Sequence, residues 1–430
     1  MHRFGEATRR VRIRRFASNA SSYRVLVLGG GAGGQAVSSA LSRRLGKGAV
    51  GVVEPASVHY YQPMWTFVGA GAKRFEESRK DMSDVMSSGV DWIKTAVTQF
   101  EPEKNRVATQ DGKTISYEYL VVALGIQLDF HKVKGLAECV GKDGVSSNYS
   151  ANTVRMTWKF LEDFKGGEAL FTFPNTPIKC AGAPQKIMYL ADDLWRKKGM
   201  RGNVNISYYS SLPVIFGAKK YAATLNQVAK CKDVNLNFRH NLVEVKGKSK
   251  EAIFENLDTQ EKKTVKYDFM HVTPPMSPPD ILKGSPLSDA VGWVDVDKET
   301  LQHKKYPNVF GIGDCTNVPT SKTAAAVAGQ SGVLRENLLA AMRGQALTQK
   351  YDGYTSCPLP TSYGKLVLAE FDFNGEPLET FPVNQGKERR PFYFMKKDMM
   401  PFLYWNLLLK GRWKGPKMMR TLAHLGMNKR

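Results

Sequence analysis

From Tyr23 onward the chain alternates short, nearly continuous apolar runs with stretches in which apolar residues return every third or fourth position. Val25 to Leu28 (VLVL), Ala49 to Val53 (AVGVV), Tyr119 to Gly125 (YLVVALG), Ala169 to Phe173 (ALFTF) and Val204 to Tyr209 are too short for helices and read as buried parallel strands. Gly89 to Asp111 alternates as strands of a small meander, and Ala183 to Trp195 has helical periodicity. Two βαβ patterns therefore follow one another, and the fold class is α/β with two Rossmann-like domains.

The turn of the first unit carries chemistry. Val25 to Gly34 (VLVLGGGAGG) runs a strand into Gly29, Gly31 and Gly34, the GxGxxG spacing that lets a pyrophosphate approach the N-terminus of the next helix. Glu54 ends the second strand twenty residues past Gly34, where an acid would accept hydrogen bonds from a ribose hydroxyl. Val309 to Asp314 (VFGIGD) then selects FAD among dinucleotides, with Asp314 on the ribityl chain as in flavoproteins built of two dinucleotide domains. The second unit departs from that pattern. Its turn, Pro174 to Gln185 (PNTPIKCAGAPQ), has no GxGxxG, and the strand ending at Ser210 offers no acid, so nicotinamide binding is not expected there. Cys180 sits in that turn beside Lys179 and Lys186, where helix-end amides and cations favour a thiolate. Cys357 lies in YTSCPL, and neither cysteine belongs to a CxxC or CxxxxC pair. Cys139, Cys231 and Cys315 read as structural.

With 42% hydrophobic residues in 430, the chain can bury two or three cores; five cysteines without paired spacing argue against a disulfide framework or a metal site. The formal charge is +22. Residues 1 to 22 carry six arginines against one glutamate and have the composition of a mitochondrial transit peptide, so +5 of the +22 is addressing and +17 remains. Lys and Arg are dispersed and no nucleic-acid motif accompanies them, which favours a lipid surface or anionic substrates over nucleic acid. Met399 to Leu409 (MMPFLYWNLLL) is apolar, too short to span a bilayer and followed by cations; Met418, Met419, Leu422 and Leu425 share one helical face. An in-plane membrane anchor is expected, with Tyr404 and Trp405 at the headgroups.

The residues quoted so far, together with YYQPMWTFVGAG at 60–71, HVTPPMSPP at 271–279, and VFGIGDCTNVPTSKTAAA at 309–326, resemble the mitochondrial, eukaryotic-type sulfide:quinone oxidoreductases. The resemblance runs from about Tyr23 to the C-terminus. It implies an enzyme whose Cys180 and Cys357 are redox-active across the flavin, and FAD held non-covalently, one per chain, by Ala32, Gly33, Glu54, Gln62, the backbone of Val97, Asp314 and Lys322. It further implies that hydrogen sulfide attacks a Cys180/Cys357 disulfide or trisulfide, that a persulfide builds on Cys180, and that the thiolate freed at Cys357 donates into the flavin. The sulfane sulfur would leave to glutathione or sulfite and the electrons to ubiquinone, on the inner mitochondrial membrane, matrix side. Met64, Trp65 and Phe67 are candidates for the quinone path. The implied organisation is a transit peptide (1–22), an FAD domain in two parts (23–150 and 291–345), a second Rossmann-like domain carrying Cys180 (151–290), and a C-terminal region with Cys357 and the anchor helices (346–430). Two rivals share the first domain: a type II NADH:quinone dehydrogenase and a non-enzymatic flavin-binding protein.

Overall fold

The structure is a computed structural model that describes residues 21–425. The expected transit segment lies outside these residues except for its last two, where the first strand already begins at Ser21. That strand, Ser21–Leu28, ends in four fully buried residues, Val25 to Leu28. It pairs in parallel with Val50–Val53 on one side and Thr114–Val122 on the other, and Val90–Ile93 extends the sheet beyond Val50–Val53. Thr114–Val122 is shared lengthwise. Its first residues pair antiparallel with Arg106–Thr109 of the meander, and its last three pair in parallel with Val309–Gly311. The late GIGD element is thereby delivered to the same sheet edge as the early glycine loop. Burial on both faces explains why the central strands are continuous apolar runs.

A second, fully parallel sheet runs in the order Val145–Ser146, Phe269–His271, Gly167–Phe173, Val204–Ser210, Val234–Phe238. Its edge strand Val145–Ser146 precedes residue 151, the boundary expected from the sequence. The helix Ala183–Lys197 crosses between the two central strands and buries Ile187, Tyr189, Leu190 and Trp195 completely. A hairpin of Thr355–Ser362 and Lys365–Phe371 then packs on this helix. Cys357, Leu359 and Leu366 to Ala369 join Phe171, Ile187 and Tyr208 in one core, so the hairpin completes the second domain, whereas Tyr404, Trp405, Leu408 and Leu409 pack with Ala36, Tyr61 and Met64 of the first. Strand alternation sends Cys357 and Leu359 toward the helix and Ser356 and Pro358 to the opposite face.

Residues 390–408 form a near-continuous helix with two π-helical turns, Met395–Met399 and Tyr404–Leu408, and a last helix spans Pro416–Ala423. Among the described residues no helix is long and apolar enough to cross a membrane. Phe394, Met399, Phe402, Met418, Leu422 and Leu425 are exposed. The expectation that Tyr404 and Trp405 face outward is corrected: both are buried, because the Tyr404 ring packs at a tilt 4.4 Å from Tyr61 and Trp405 lies edge-on to His59. Met419 also leaves the outer face and turns into the central cavity.

Candidate active site

A cavity of about 470 Å³ connects the glycine loop, the GIGD turn, the Cys180 turn and the C-terminal helices. At its first end the three motif glycines do different work. A Cβ on Gly29, whose φ is +100°, would lie 2.4 Å from Ala123 O, and one on Gly34 would lie 1.8 Å from Gly29 O. These two residues permit the turn and the close packing of helix on strand. At Gly31 a Cβ would meet nothing within 4 Å, so the backbone there borders open space. The helix Ala32–Leu45 begins at Gly31 with no side-chain cap and no acid in its first turn, leaving its amides free for a pyrophosphate. These residues fit a dinucleotide. Glu54 Oε2 accepts from Gly30 N at 2.7 Å and Oε1 from Ala56 N at 2.7 Å, which fixes the carboxylate while leaving lone pairs for a ribose.

Of the other residues expected to hold the cofactor, Ala32, Gly33, Gln62, Asp314 and Lys322 also line the cavity. Burial raises the Asp314 carboxyl above its ordinary value, against the pull of Lys322 and Lys179. Lys322 Nζ donates to Asp314 O at 2.8 Å and Thr316 O at 3.0 Å and lies 3.8 Å over the Trp293 ring. It precedes the helix Ala324–Met342, whose first residues line the cavity. Val97 sits at the start of a meander strand and is not among the lining residues. Trp65 lines the cavity, whereas Met64 and Phe67 are buried in the cores behind it.

The two sulfurs meet. Cys180 Sγ lies 3.9 Å from Cys357 Sγ, both as free thiols, although 177 residues separate them. Cys180 adopts a left-handed φ of 52°, uncommon for a non-glycine residue, and holds it because its N–H donates to Lys322 O at 2.7 Å and its carbonyl accepts from Ala183 N at 2.8 Å and the Tyr149 hydroxyl at 3.3 Å. Lys186 Nζ donates to Cys180 Sγ at 3.1 Å. A hydrogen bond from the Cys357 thiol, working against burial and helped by Lys186 and Lys396, holds Cys180 well below the ordinary thiol range. Donating that bond, and burial, push Cys357 well above it. The pair thus shares one proton and one negative charge, and the charge rests on Cys180. Cys180 is open to the cavity, while Cys357 is 2% exposed.

Lys396 escaped the sequence reading. It arrives from the π-helical turn, is 4% exposed, and burial together with the nearby Lys186 lowers it to about 7. Only the fold could have found it, since nothing in the local run MKKDM distinguishes it from Lys397. Lys179 faces Asp314 and the Trp65 ring instead of the thiols, and burial lowers it to about 8. The remaining cysteines lie elsewhere. Cys139 and Cys315 sit in separate cores, where burial pushes both up to about 11, and Cys231 is exposed.

On the other face of the Cys357 strand, Tyr354, Ser356 and Glu370 line a branch of the same cavity. The Ser356 hydroxyl is buried with no partner, and the Tyr354 hydroxyl donates to Glu370 Oε1 at 2.5 Å. Met399 lines this cavity and is also 43% exposed, so an apolar mouth opens beside Phe394 and Phe402.

The family model for pyridine nucleotide-disulphide oxidoreductase matches residues 23–157. A mitochondrial sulfide:quinone oxidoreductase from Mus musculus is 57% identical over 407 residues, covering 94% of this chain and 90% of that protein. One from Dictyostelium discoideum is 50% identical over 395 residues, 91% and 87% of the two chains. The crystal structure of the sulfide:quinone oxidoreductase from Aquifex aeolicus has the same fold, with a TM-score of 0.78 over 95% of this chain and 96% of that one at 18% identity.

Proposed function

The chain belongs to the mitochondrial sulfide:quinone oxidoreductase family, and from that premise we propose how its residues divide the reaction. It is an FAD-dependent mitochondrial enzyme whose substrates are hydrogen sulfide and a quinone. The NADH dehydrogenase reading is not favoured, since the second domain places Cys180 where a nicotinamide phosphate loop would stand.

One observation carries the division of roles: Cys180, in the wall of the dinucleotide cavity, lies 3.9 Å from the buried Cys357 behind it, with Lys186 3.1 Å from the Cys180 sulfur. In the oxidised pair, hydrosulfide attacks Cys180 Sγ, the Cys180–Cys357 bond breaks, and Cys357 leaves as a thiolate, which Lys186 stabilises because Cys180 Sγ is then bonded to sulfur and is no longer the competing anion. The new bond joins the sulfide sulfur to Cys180 as a persulfide. Opening of Cys180 to the cavity lets a small acceptor reach that outer sulfur, and burial of Cys357 keeps its thiolate from competing. Lys186 stabilises the anionic sulfur in each step. FAD, held along the cavity by the glycine loop, Glu54, Gln62, Asp314 and Lys322, would supply the two-electron acceptor for the pair left on Cys357 and the relay to the quinone. Anionic acceptors, glutathione or sulfite, suit a chamber edged by Lys179, Lys186 and Lys396. Ubiquinone enters through the Met399 mouth, and the exposed apolar residues around it rest on the inner membrane from the matrix side.

Anaerobic stopped-flow absorbance with sulfide tests this reading in wild type, Cys180→Ala and Cys357→Ser. Flavin bleaching is expected in wild type and abolished in both variants. Bleaching by sulfide that survives loss of either cysteine refutes it.

A further inference from the structure

The C-terminal segment does more than offer an apolar face. Tyr404, on its second π-helical turn, reaches His59 Nε2 through its hydroxyl at 2.7 Å, and His59 Nδ1 lies 3.1 Å from Gly30 O in the glycine loop. A carbonyl only accepts, so Nδ1 carries the hydrogen, Nε2 is bare, and the Tyr404 hydroxyl donates to it. The array is buried throughout, with His59 3% and Tyr404 5% exposed, and burial lowers His59 to about 4, so the ring stays neutral. Gly30 is the residue whose N–H donates to Glu54 Oε2. One loop residue is thus held at its nitrogen by the ribose acid and at its carbonyl by an arm that ends 374 positions downstream.

The segment is seated closely enough to act through that arm. Lys410 Nζ donates to Asp84 O at 3.0 Å and Val85 O at 3.2 Å, and Arg43 of the dinucleotide helix donates to Gly411 O. A Cβ on Gly411, whose φ is +59°, would lie 2.5 Å from Ala40 N of the same helix. Only glycine lets the turn lie flush on it. The Tyr404 ring is fixed by Tyr61 and Trp405, at 4.4 and 5.2 Å.

We propose that His59 and Tyr404 are positioning residues of the flavin site, an arm through which the C-terminal segment sets the Gly30 peptide for the dinucleotide. The segment is then part of the cofactor site as well as its outer cover. FAD binding and seating of the segment strengthen each other by the same factor. The proposal rests on the flavin reading of the cavity.

The test is equilibrium rebinding of FAD, followed by flavin fluorescence, to the full chain stripped of its cofactor. Tyr404→Phe keeps the ring and its packing and removes only the hydroxyl; its FAD dissociation constant is expected to rise about 5- to 30-fold. His59→Phe should weaken binding at least as much, and the double variant no more than His59→Phe, because Tyr404 acts through His59. Hydrogen exchange over residues 399–411 should accelerate when FAD is removed from wild type. An unchanged dissociation constant in Tyr404→Phe overturns the proposal, as does additivity in the double variant. Where His59→Phe does not fold, Tyr404→Phe alone decides, since a purely structural hydroxyl would lower the melting temperature of the stripped protein and leave its FAD affinity intact. Failure of stripped wild type to bind FAD at all would instead strike the flavin reading.

Discussion

Removing the charge of Lys186 should disable the Cys180 thiolate. Lys186→Met keeps length and suits a site only 2% exposed, so the fold is expected to survive. At the observed 3.1 Å, a cation and a thiolate attract by about 5 kcal/mol at an effective dielectric of 20. Lys396 remains, the hydrogen bond from Cys357 remains, and the cost of burying the ammonium disappears, so roughly half of that attraction, about 2.7 kcal/mol, is the net loss expected, or about 100-fold. The sign follows from the charge: a cation favours the ionised thiol, so its removal moves ionisation to higher pH. The pH profile for iodoacetamide capture of Cys180 in the reduced protein should therefore move about two units toward alkaline pH. The rate of flavin bleaching by sulfide should fall as well, because Lys186 also stabilises the thiolate released at Cys357. A capture rate and pH profile indistinguishable from wild type would refute the assignment of the charge to Cys180 and of its stabilisation to Lys186.

The motif glycines should separate by function. Gly31→Ala meets no protein atom within 4 Å and should leave the melting temperature of the FAD-free protein unchanged while weakening FAD at least tenfold by fluorescence titration, whereas Gly34→Ala, 1.8 Å from Gly29 O, should yield little folded protein. Lys396→Met should stabilise the chain most at low pH. The lysine is protonated in the unfolded chain up to about 10.4 but in the fold only below about 7, so its burial opposes folding fully below 7, and that penalty fades as pH rises toward 10.4. Melting temperatures at pH 6 and pH 10 should show a gain over wild type that shrinks at the higher pH, and an equal gain at both would contradict the buried titration. Phe402→Ser with Leu422→Ser, 61% and 62% exposed, should cut co-flotation with anionic vesicles several-fold and leave flavin content unchanged. Undiminished flotation would remove this face from the membrane contact.

The local signals in the chain reached far. Continuous apolar runs specified the parallel strands, because burial on both faces leaves no polar alternation to confuse them. The glycine loop, Glu54 and Asp314 were legible because each depends on backbone geometry or on a charge at a fixed offset from a strand. Cys180 was legible as the residue that breaks the second loop. The tertiary structure alone decided which residues face it. Cys357 reaches Cys180 because the hairpin docks on the helix that follows the Cys180 turn, and strand alternation sends its sulfur to that side and Ser356 to the other. Lys396 lines the cavity and Lys397 does not because the π-helical turn buries one and leaves the other half-buried at the surface. Tyr404 and Trp405 look like interfacial anchors in sequence and are interior residues in the fold, since an apolar run specifies burial without naming what it is buried against. Periodicity and spacing encode contacts within an element and its turn. Contacts between residues hundreds of positions apart are set by which surfaces the packed elements bring together, and the sulfur pair and the arm to Gly30 belong to that second kind.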